Sequence, residues 1–460
     1  MSIFSTLSTA ASGLRSASTG INVTSHNVSN AAVDGYSRRD VRLVTADPVD
    51  HMGIGIGRGS RATNVARMSN FLINQRLVGA TGREAEADSR RLSLSALEAN
   101  FDEYGQEGPA SLLNVFFDSV NALTRDPSNV AYRDQVVNDA VRFTDSVNRM
   151  ADDVQRFRDD IYTELEDTIA AIQEKLDLVA EFNARVVASS SDLGSGDFQD
   201  QRDQLISEVA QSVGGSVRFS GDGLAQFFIG GHAVVTGPEA RTLTVSQDAA
   251  GDPQVNLETG SATVDVTASI GGMLGGRLAS DTEAAGYLAD LNTFAGDLAT
   301  AFNAQHALGF DTTGAAGGDF FNVTVGFEAS TFTVDPLVEA DSNLIAAAAA
   351  ATAAAGDGDN LFQLSAIENS NLFSAGTENP TEFLAGIYSD VGRAAATAQL
   401  DYDAARYALE DLTALRDSVS GVDLDEEATK LLGWQAAYEA SSRVVSTANA
   451  ILGELMEMVR

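Results

Sequence analysis

The sequence predicts a mainly α-helical chain with an inserted antiparallel β-domain, arranged as elongated, nested and discontinuous domains and closed by coiled-coil helices at its ends. Three observations carry this expectation. Apolar residues recur every seven positions near both termini, although more than 390 residues separate the two repeats. Two long amphipathic stretches lie inboard of them. Between those, the texture changes to short alternating runs rich in Gly, Val and Thr.

The first helix is expected over residues 3–30, where Leu7, Leu14, Ile21 and Val28 form a heptad row flanked by Ile3, Ala10 and Ala17. A seven-residue repeat places a narrow seam on one side of a helix, and that seam needs a partner. Gly13 and Gly20 each cost about 1 kcal/mol relative to alanine, so this helix is marginal until it packs. The C-terminal helix is expected over residues 424–459, roughly 50 Å long at 1.5 Å per residue. Its row is Leu424, Leu431, Tyr438, Val445, Leu452 and Val459, with Trp434, Ala448 and Leu455 beside it. Asp423 followed by Glu426 has the spacing of a capping box. The partner of each seam is left open: an antiparallel pair inside one monomer, or helices of neighbouring subunits.

Residues 128–193 contain neither glycine nor proline, and Val147, Met150, Val154, Phe157, Ile161, Leu165, Ile169, Ile172, Leu176, Val179 and Val186 step by three or four. That pattern predicts one very long amphipathic helix. A second is expected over 381–418, and mutual packing of the two is the simplest way to bury both stripes, with shorter helices at 92–101 and 110–123 completing a bundle. Residues 213–276 carry the runs SVRF, LAQFFI, HAVVT, RTLTV and ATVDV between turn signals and read as an antiparallel β-domain. A helix over 282–306 interrupts it, and FNVTV and TFTV continue it. The alanine run 346–351 reads as a short helix or connector. The domains are therefore 1–50 with 424–460 for the terminal helices, 51–195 with 360–423 for the bundle, and 196–359 for the β-rich insert.

Composition narrows the function. The 65 acidic residues against 29 basic ones give a net charge of −36, which speaks against a nucleic-acid partner because phosphate contacts need clustered Lys and Arg. Lys175 and Lys430 are the only lysines, and there is no cysteine for disulfides, thiolate chemistry or metal ligation. No stretch is apolar enough to span a bilayer, and the N-terminal segment lacks the basic and continuous apolar regions of a secretory signal. The choice is then a cytoplasmic protein or one exported without a cleaved signal.

Enzyme readings find no support. Gly53–Gly59 spells GIGIGRG without the step and the lysine of a nucleotide loop, and reads as strand or bulge. His26, His51, His232 and His306 are scattered, and the pairs Asp152/Asp153 and Asp159/Asp160 fit a solvated helix face. No catalytic, cofactor-binding or metal-binding residues are assigned, and no cofactor is expected.

The segment SHNVSNAAVDGYSRRDV, residues 25–41, resembles a motif of flagellar rod, hook and hook-associated proteins, and most resembles that of the hook-associated protein 1 family. Ala32-Val33-Asp34 replaces the usual Thr-Pro pair, leaving Asp34-Gly35 to make the turn. Four more blocks resemble the same family in the same order: MGIGIGRGSRATNVARMSNFLINQRL (52–77), DQRDQLISEVAQSVGGSV (200–217), FNAQHALGFDTTGAAGGDFF (302–321) and SGVDLDEEATKLLGWQAAYEASSRVVSTANAIL (420–452). The chain is short for the family, as though an outermost domain after Phe321 were missing.

The resemblance implies a non-enzymatic structural subunit joining hook to filament, extracellular, and exported by the flagellar secretion apparatus. The implied partners are other copies of itself, the hook protein, the second hook–filament junction protein and a cytoplasmic export chaperone. Leu7, Leu14, Ile21, Val28, Tyr36, Arg38, Leu431, Trp434, Tyr438, Val445 and Leu452 are the expected subunit-contact residues. For Tyr36 and Arg38 the alternative is a solvated loop. The competing functions are another flagellar axial protein (hook, rod or second junction protein) and a secreted coiled-coil adhesin or scaffold.

Overall fold

The computed structural model describes residues 3–51, 54–101, 108–188, 195–220, 223–260, 262–353 and 356–458; Val459 and Gly53 lie outside them. Helix α1 (Ile3–Ser29) leads into a long hairpin made of β1 (Arg39–Thr45) and β4 (Ser60–Arg67), antiparallel with a bulge at Arg42/Leu43. The hairpin tip carries β2 (Val49–His51) paired with β3 (Ile54–Ile56). The hairpin lies along α1, and the small polar residues of α1 explain why. Ser12 Oγ donates to the Arg58 carbonyl at 3.1 Å and Ser16 Oγ to the Ser60 carbonyl at 3.0 Å.

Helices α2 (Phe71–Asn100), α3 (Pro109–Leu123) and α4 (Val130–Ala188) follow. Asn70 caps α2, accepting from Leu72 N and Ile73 N at 3.0 and 3.4 Å, and the segment 92–101 is its final part rather than a separate helix. The 59-residue α4 spans roughly 88 Å at 1.5 Å per residue. After α5 (Ser195–Val213) come a four-stranded antiparallel meander, β5 (Ser216–Phe219), β6 (Ala225–Ile229), β7 (His232–Thr236) and β8 (Glu239–Ala240), and a three-stranded sheet. The second sheet places β10 (Pro253–Glu258) between β9 (Leu243–Gln247) and β11 (Thr263–Asp265).

Helix α6 spans Gly272–His306 and so begins ten residues before its expected start. The glycines at the end of the expected β-domain are packing residues instead. A Cβ on Gly276 would sit 2.3 Å from the Glu86 carbonyl oxygen, so only glycine lets α6 lie against the backbone of α2. A two-residue ladder, β12 (Phe321–Asn322) with β13 (Thr333–Val334), then precedes α7 (Pro336–Ala340) and α8 (Asp359–Ala366). The alanine run is not helical at its start: Ala346, Ala347 and Ala348 are buried, and Ala348 bridges to Phe310. The chain closes with α9 (Pro380–Ser420) and α10 (Leu424–Met458).

The mainly α class with antiparallel β elements is as expected, but the two longest helices do not pack on each other. Helix α9 lies along α2, while α4 lies along α3, α5 and α6. Two apolar cores form along α4. One gathers Val136, Phe143, Val147 and Val154 with α3, α6, α8 and α9; the other gathers Ile161, Leu165, Ile172 and Leu176 with α5 and the two sheets. Phe157 touches both. Beside it Arg158 Nε bonds Asp281 at 2.9 Å and Arg158 Nη2 bonds Asp252 at 2.6 Å, tying helix, sheet and α6 at the boundary.

The FNAQH block is a packing lock. Phe302 joins Phe116, Phe320 and Phe321 in an aromatic cluster. Asn303 bonds the backbone of Phe320 and Phe321, and Gln305 donates to Asn360. His306 is fully buried; its Nδ1 lies 2.7 Å from the Gly318 carbonyl and its Nε2 accepts from Ala346 N at 2.9 Å. That geometry fixes the neutral tautomer protonated at Nδ1, and burial pushes the imidazole pKa down.

A base whose pKa falls on folding takes up its proton more readily in the unfolded chain, so stability drains away as pH falls below about 6.5. The expected slope from this one group is at most about 1.4 kcal/mol per pH unit. Denaturant titrations of the natural chain and of His306→Gln between pH 7 and 5 check this. The variant should be less stable at pH 7 and lack that component of the slope; equal slopes in the two proteins would contradict it.

Candidate assembly site

Helices α1 and α10 lie side by side and antiparallel within one chain, and three contacts set their register. A Cβ built on Gly13 stands 3.6 Å from Ser441 Cβ. Gly20 lies directly beneath the Trp434 indole, where a Cβ would be 2.3 Å from Cδ2. Asn27 Nδ2 donates to Glu427 Oε2 at 2.8 Å. Each step of seven along α1 is matched by seven back along α10, so the seam is a heptad with small residues on one side.

The row at the centre of this seam is not the large apolar one. On α1 the buried positions are Ala10, Ser16, Ala17, Gly20, Thr24 and Asn27, whereas Leu7, Leu14 and Ile21 are half-buried flanks and Val28 is exposed. On α10 only Glu427 and Ala448 are buried. Leu431, Trp434, Val445 and Leu452 are half-buried, and Tyr438 is 44% exposed. The outer side of the pair stays open to solvent, with Leu432, Val444, Ile451, Leu455, Met456 and Met458 on α10 and Phe4 on α1 all exposed.

A buried polar knot clamps the base of the pair to the rest of the chain. Asp34-Gly35 makes the turn, with Gly35 at φ 78°, and delivers Tyr36 inward. The Tyr36 hydroxyl donates to Asn27 Oδ1 at 2.7 Å and lies 3.0 Å from His26 Nδ1. Asn27 Oδ1 also accepts from Arg39 N at 3.0 Å, while its Nδ2 bridges the Arg39 carbonyl and Glu427. The Glu427 carboxylate, 1% exposed, is completed by Lys430 Nζ at 2.9 Å. Burial pushes the Tyr36 pKa up to about 12, so its hydroxyl remains a donor throughout the physiological range.

The knot continues into α5. Arg39 pairs with Asp197 and reaches Asp200 at 3.4 Å. Arg67, at the end of the hairpin, lies 2.7 Å from both Asp200 and Asp203. Burial raises the Asp200 pKa, and Arg67 and then Arg39 pull against that shift. Arg202 pairs with Asp203 at 2.9 Å and also reaches the Gly223 carbonyl at 2.6 Å and Asn183 of α4 at 3.4 Å, locking α5 onto α4 and the first sheet. Above the knot, Arg38 Nη1 pairs with Glu426 at 2.9 Å and Arg416 Nη2 donates to the Tyr36 carbonyl at 3.0 Å. Asp423 caps α10 as expected, accepting from Glu426 N at 3.1 Å, but the Glu426 carboxylate pairs with Arg38 and Lys430 instead of returning to Asp423.

Of the expected contact residues, Trp434 sits in the seam and Tyr36 and Arg38 are engaged inside the chain. The heptad reading passed over Asn27, Arg39, Arg67, Asp200, Asp203 and Glu427. Asn27, Arg39 and the 200–203 block lie inside the motifs singled out above, which was the available signal. Among the described residues, no cluster of three or more His, Asp or Glu side chains is arranged to hold a metal ion.

Comparison with known proteins fits this geometry. Residues 94–321 match the flagellar hook-associated protein FlgK helical domain, and residues 416–458 match the flagellar basal body rod FlgEFG protein C-terminal family. The chain is 25% identical to flagellar hook-associated protein 1 of Bacillus subtilis, with 99% of this chain and 98% of that protein aligned. Along its whole length it is similar to the flagellar hook-associated protein 1 family. The Salmonella typhimurium family member is also 25% identical, over 98% of this chain and 99% of its own length. That alignment runs to 550 positions against the 460 residues here, so the relative is the longer protein. The flagellar hook junction protein FlgK from Burkholderia pseudomallei shares the fold at a TM-score of 0.68 and 16% identity, over 75% of this chain and all of that one. The chain is a structural component of the flagellar hook–filament junction and not an enzyme.

Two variants test the seam and the knot. Gly20→Ala gains about 1 kcal/mol of helix propensity, but its methyl overlaps the Trp434 ring, and the overlap wins. Trp434 is the only tryptophan, so its fluorescence should shift to the red in the variant; an unchanged spectrum with unchanged stability would contradict the register. Asn27→Ala strips partners from Tyr36, Glu427 and the Arg39 backbone, each buried, at a cost of about 1–3 kcal/mol. Amide exchange should accelerate in α1 and α10 and stay unchanged in α4; uniform acceleration would place the knot in the global fold instead.

Proposed function

We propose that the terminal domain, residues 1–50 with 424–460, is the assembly element of this junction subunit and that it packs against neighbouring copies of the same chain. The supporting observation is the apolar outer face of the α1–α10 pair, where Phe4, Met456 and Met458 are each more than 70% exposed in a chain of net charge −36. Isolated exposed apolar residues are ordinary on a protein surface, but a run of them along one helix marks an interface. Leu7, Leu14, Ile21, Val28, Leu431, Tyr438, Val445 and Leu452 retain open surface for subunit contacts, with Trp434 anchoring the seam from inside. Tyr36 and Arg38 contribute by holding the pair at a fixed angle to the bundle (51–195 with 360–423) and the β-rich insert (196–359).

The hook protein and the second hook–filament junction protein are the neighbours along the axis in this reading. The subunit is extracellular after passage through the flagellar export apparatus, and a cytoplasmic chaperone covers the apolar side of α10 beforehand. One amphipathic helix can serve both partners in turn.

Removal of residues 424–460 tests the assignment. No residue of α1 or α10 belongs to either apolar core, so the shortened chain should remain helical and soluble. Cells carrying only that chain should build hooks that retain no filaments. Filament retention at the natural level would show that the terminal pair is not the assembly element.

A further inference from the structure

We propose that the arginine-lined cleft between α1 and the β1–β4 hairpin receives the acidic last turns of α10 from a neighbouring copy, an inference that rests on the assembly reading above. The cleft has a volume of about 450 Å³ and is lined by Arg15, Arg58 and Arg61 together with Ser8, Thr19 and Asp47. Acids outnumber bases 65 to 29 in this chain, and Arg39, Arg67, Arg90 and Arg158, which bridge separate elements, are each matched to carboxylates. The three arginines of the cleft are not. None forms an ion pair among the described residues, and Arg15 Nε reaches only the Ala11 carbonyl of its own helix, at 3.3 Å. Three guanidinium groups against the single Asp47 carboxylate leave the opening with a net positive charge, which favours an anionic occupant.

The complementary group stands at the far end of the same helix pair. Glu454 and Glu457 are exposed in the last turns of α10, one turn apart. No basic residue lies in that last turn, and no described residue pairs with either glutamate. Carboxylates at a helix C-terminus face the negative end of the helix dipole and are destabilised unless a cation compensates them. Leu455, Met456 and Met458, exposed around them, supply apolar contact area for the same interface.

The two groups cannot meet within one chain. The Gly13–Ser441 and Gly20–Trp434 contacts put Arg15 opposite residue 439, about 22 Å along the helix from Glu454. They meet only if the α10 end of one copy enters the cleft of the next. A neighbour displaced along the helix-pair axis by that distance satisfies both charge sets at once, and the charge match gives the contact its register.

The chain lacks cysteine, so full-length protein carrying Arg61→Cys and Glu454→Cys reports the contact without background. Mild oxidation of assembled hook–filament material should give a ladder of covalently linked copies, whereas either single substitution should stay unlinked. In parallel, R58E/R61E and E454R/E457R should each reduce filament retention about tenfold, and the two pairs combined should restore it. All four positions are exposed, and unchanged helicity of each purified variant confirms folding. Filaments retained at the natural level by both charge reversals, or attached filaments without a cross-linked ladder, would overturn the proposal. So would reversals that are not rescued by the combination, which would point to another anionic occupant of the cleft. Natural protein that fails to restore filaments to a deletion strain would instead count against the assembly reading itself.

Discussion

A carboxylate buried between two helices must find its partners or the helices separate, and Glu427 places that demand on the α1–α10 pair. It is answered by Asn27 on one side and Lys430 on the other. Asn27 is in turn held by Tyr36 and by the backbone of Arg39, so the angle and register of the terminal pair follow from a single hydrogen-bonded cluster. An apolar seam alone would tolerate sliding by a turn. A buried polar contact does not, because every other register strands a charged group.

The same cluster explains how distant segments act as one piece. Arg39 and Arg67 carry the hairpin onto Asp197, Asp200 and Asp203 of α5, and Arg202 carries α5 onto the β5–β8 sheet. The two apolar cores along α4 supply the stability of the body, while the ends contribute nothing to either. That separation suits a subunit whose ends engage other flagellar proteins on assembly while its body stays folded.

Much of the fold was legible because it rests on periodicity. The stripe from Val147 to Val186 is read directly from the chain, and α4 follows it. The heptads at both ends likewise announced a helix pair, but the rows of large residues were read as the seam. Gly13, Gly20 and Ser441 carry no hydrophobic signal, and Gly20 looked like a helix defect although it is the space that Trp434 fills. Gly276 likewise makes room for a neighbouring helix, and the Gly-rich stretch expected as β-domain up to residue 276 contains the first turns of α6. The polar knot was half legible. Its residues lie within the blocks SHNVSNAAVDGYSRRDV and DQRD, yet nothing local pairs Arg39 with carboxylates about 160 positions away. Charge complementarity between remote segments appears only once the chain is folded.

The two ends pair antiparallel inside one chain, in the register set by Gly13–Ser441, Gly20–Trp434 and Asn27–Glu427. The Cβ separation of 3.6 Å at the first of these matches disulfide geometry, and the chain has no other cysteine to compete. Oxidation of a dilute monomer of the Gly13→Cys, Ser441→Cys protein reads out this pairing. Near-complete conversion to an intrachain disulfide is expected, seen as a compact monomer band under non-reducing conditions. A monomer that stays reduced, or that links only to other copies, would contradict it.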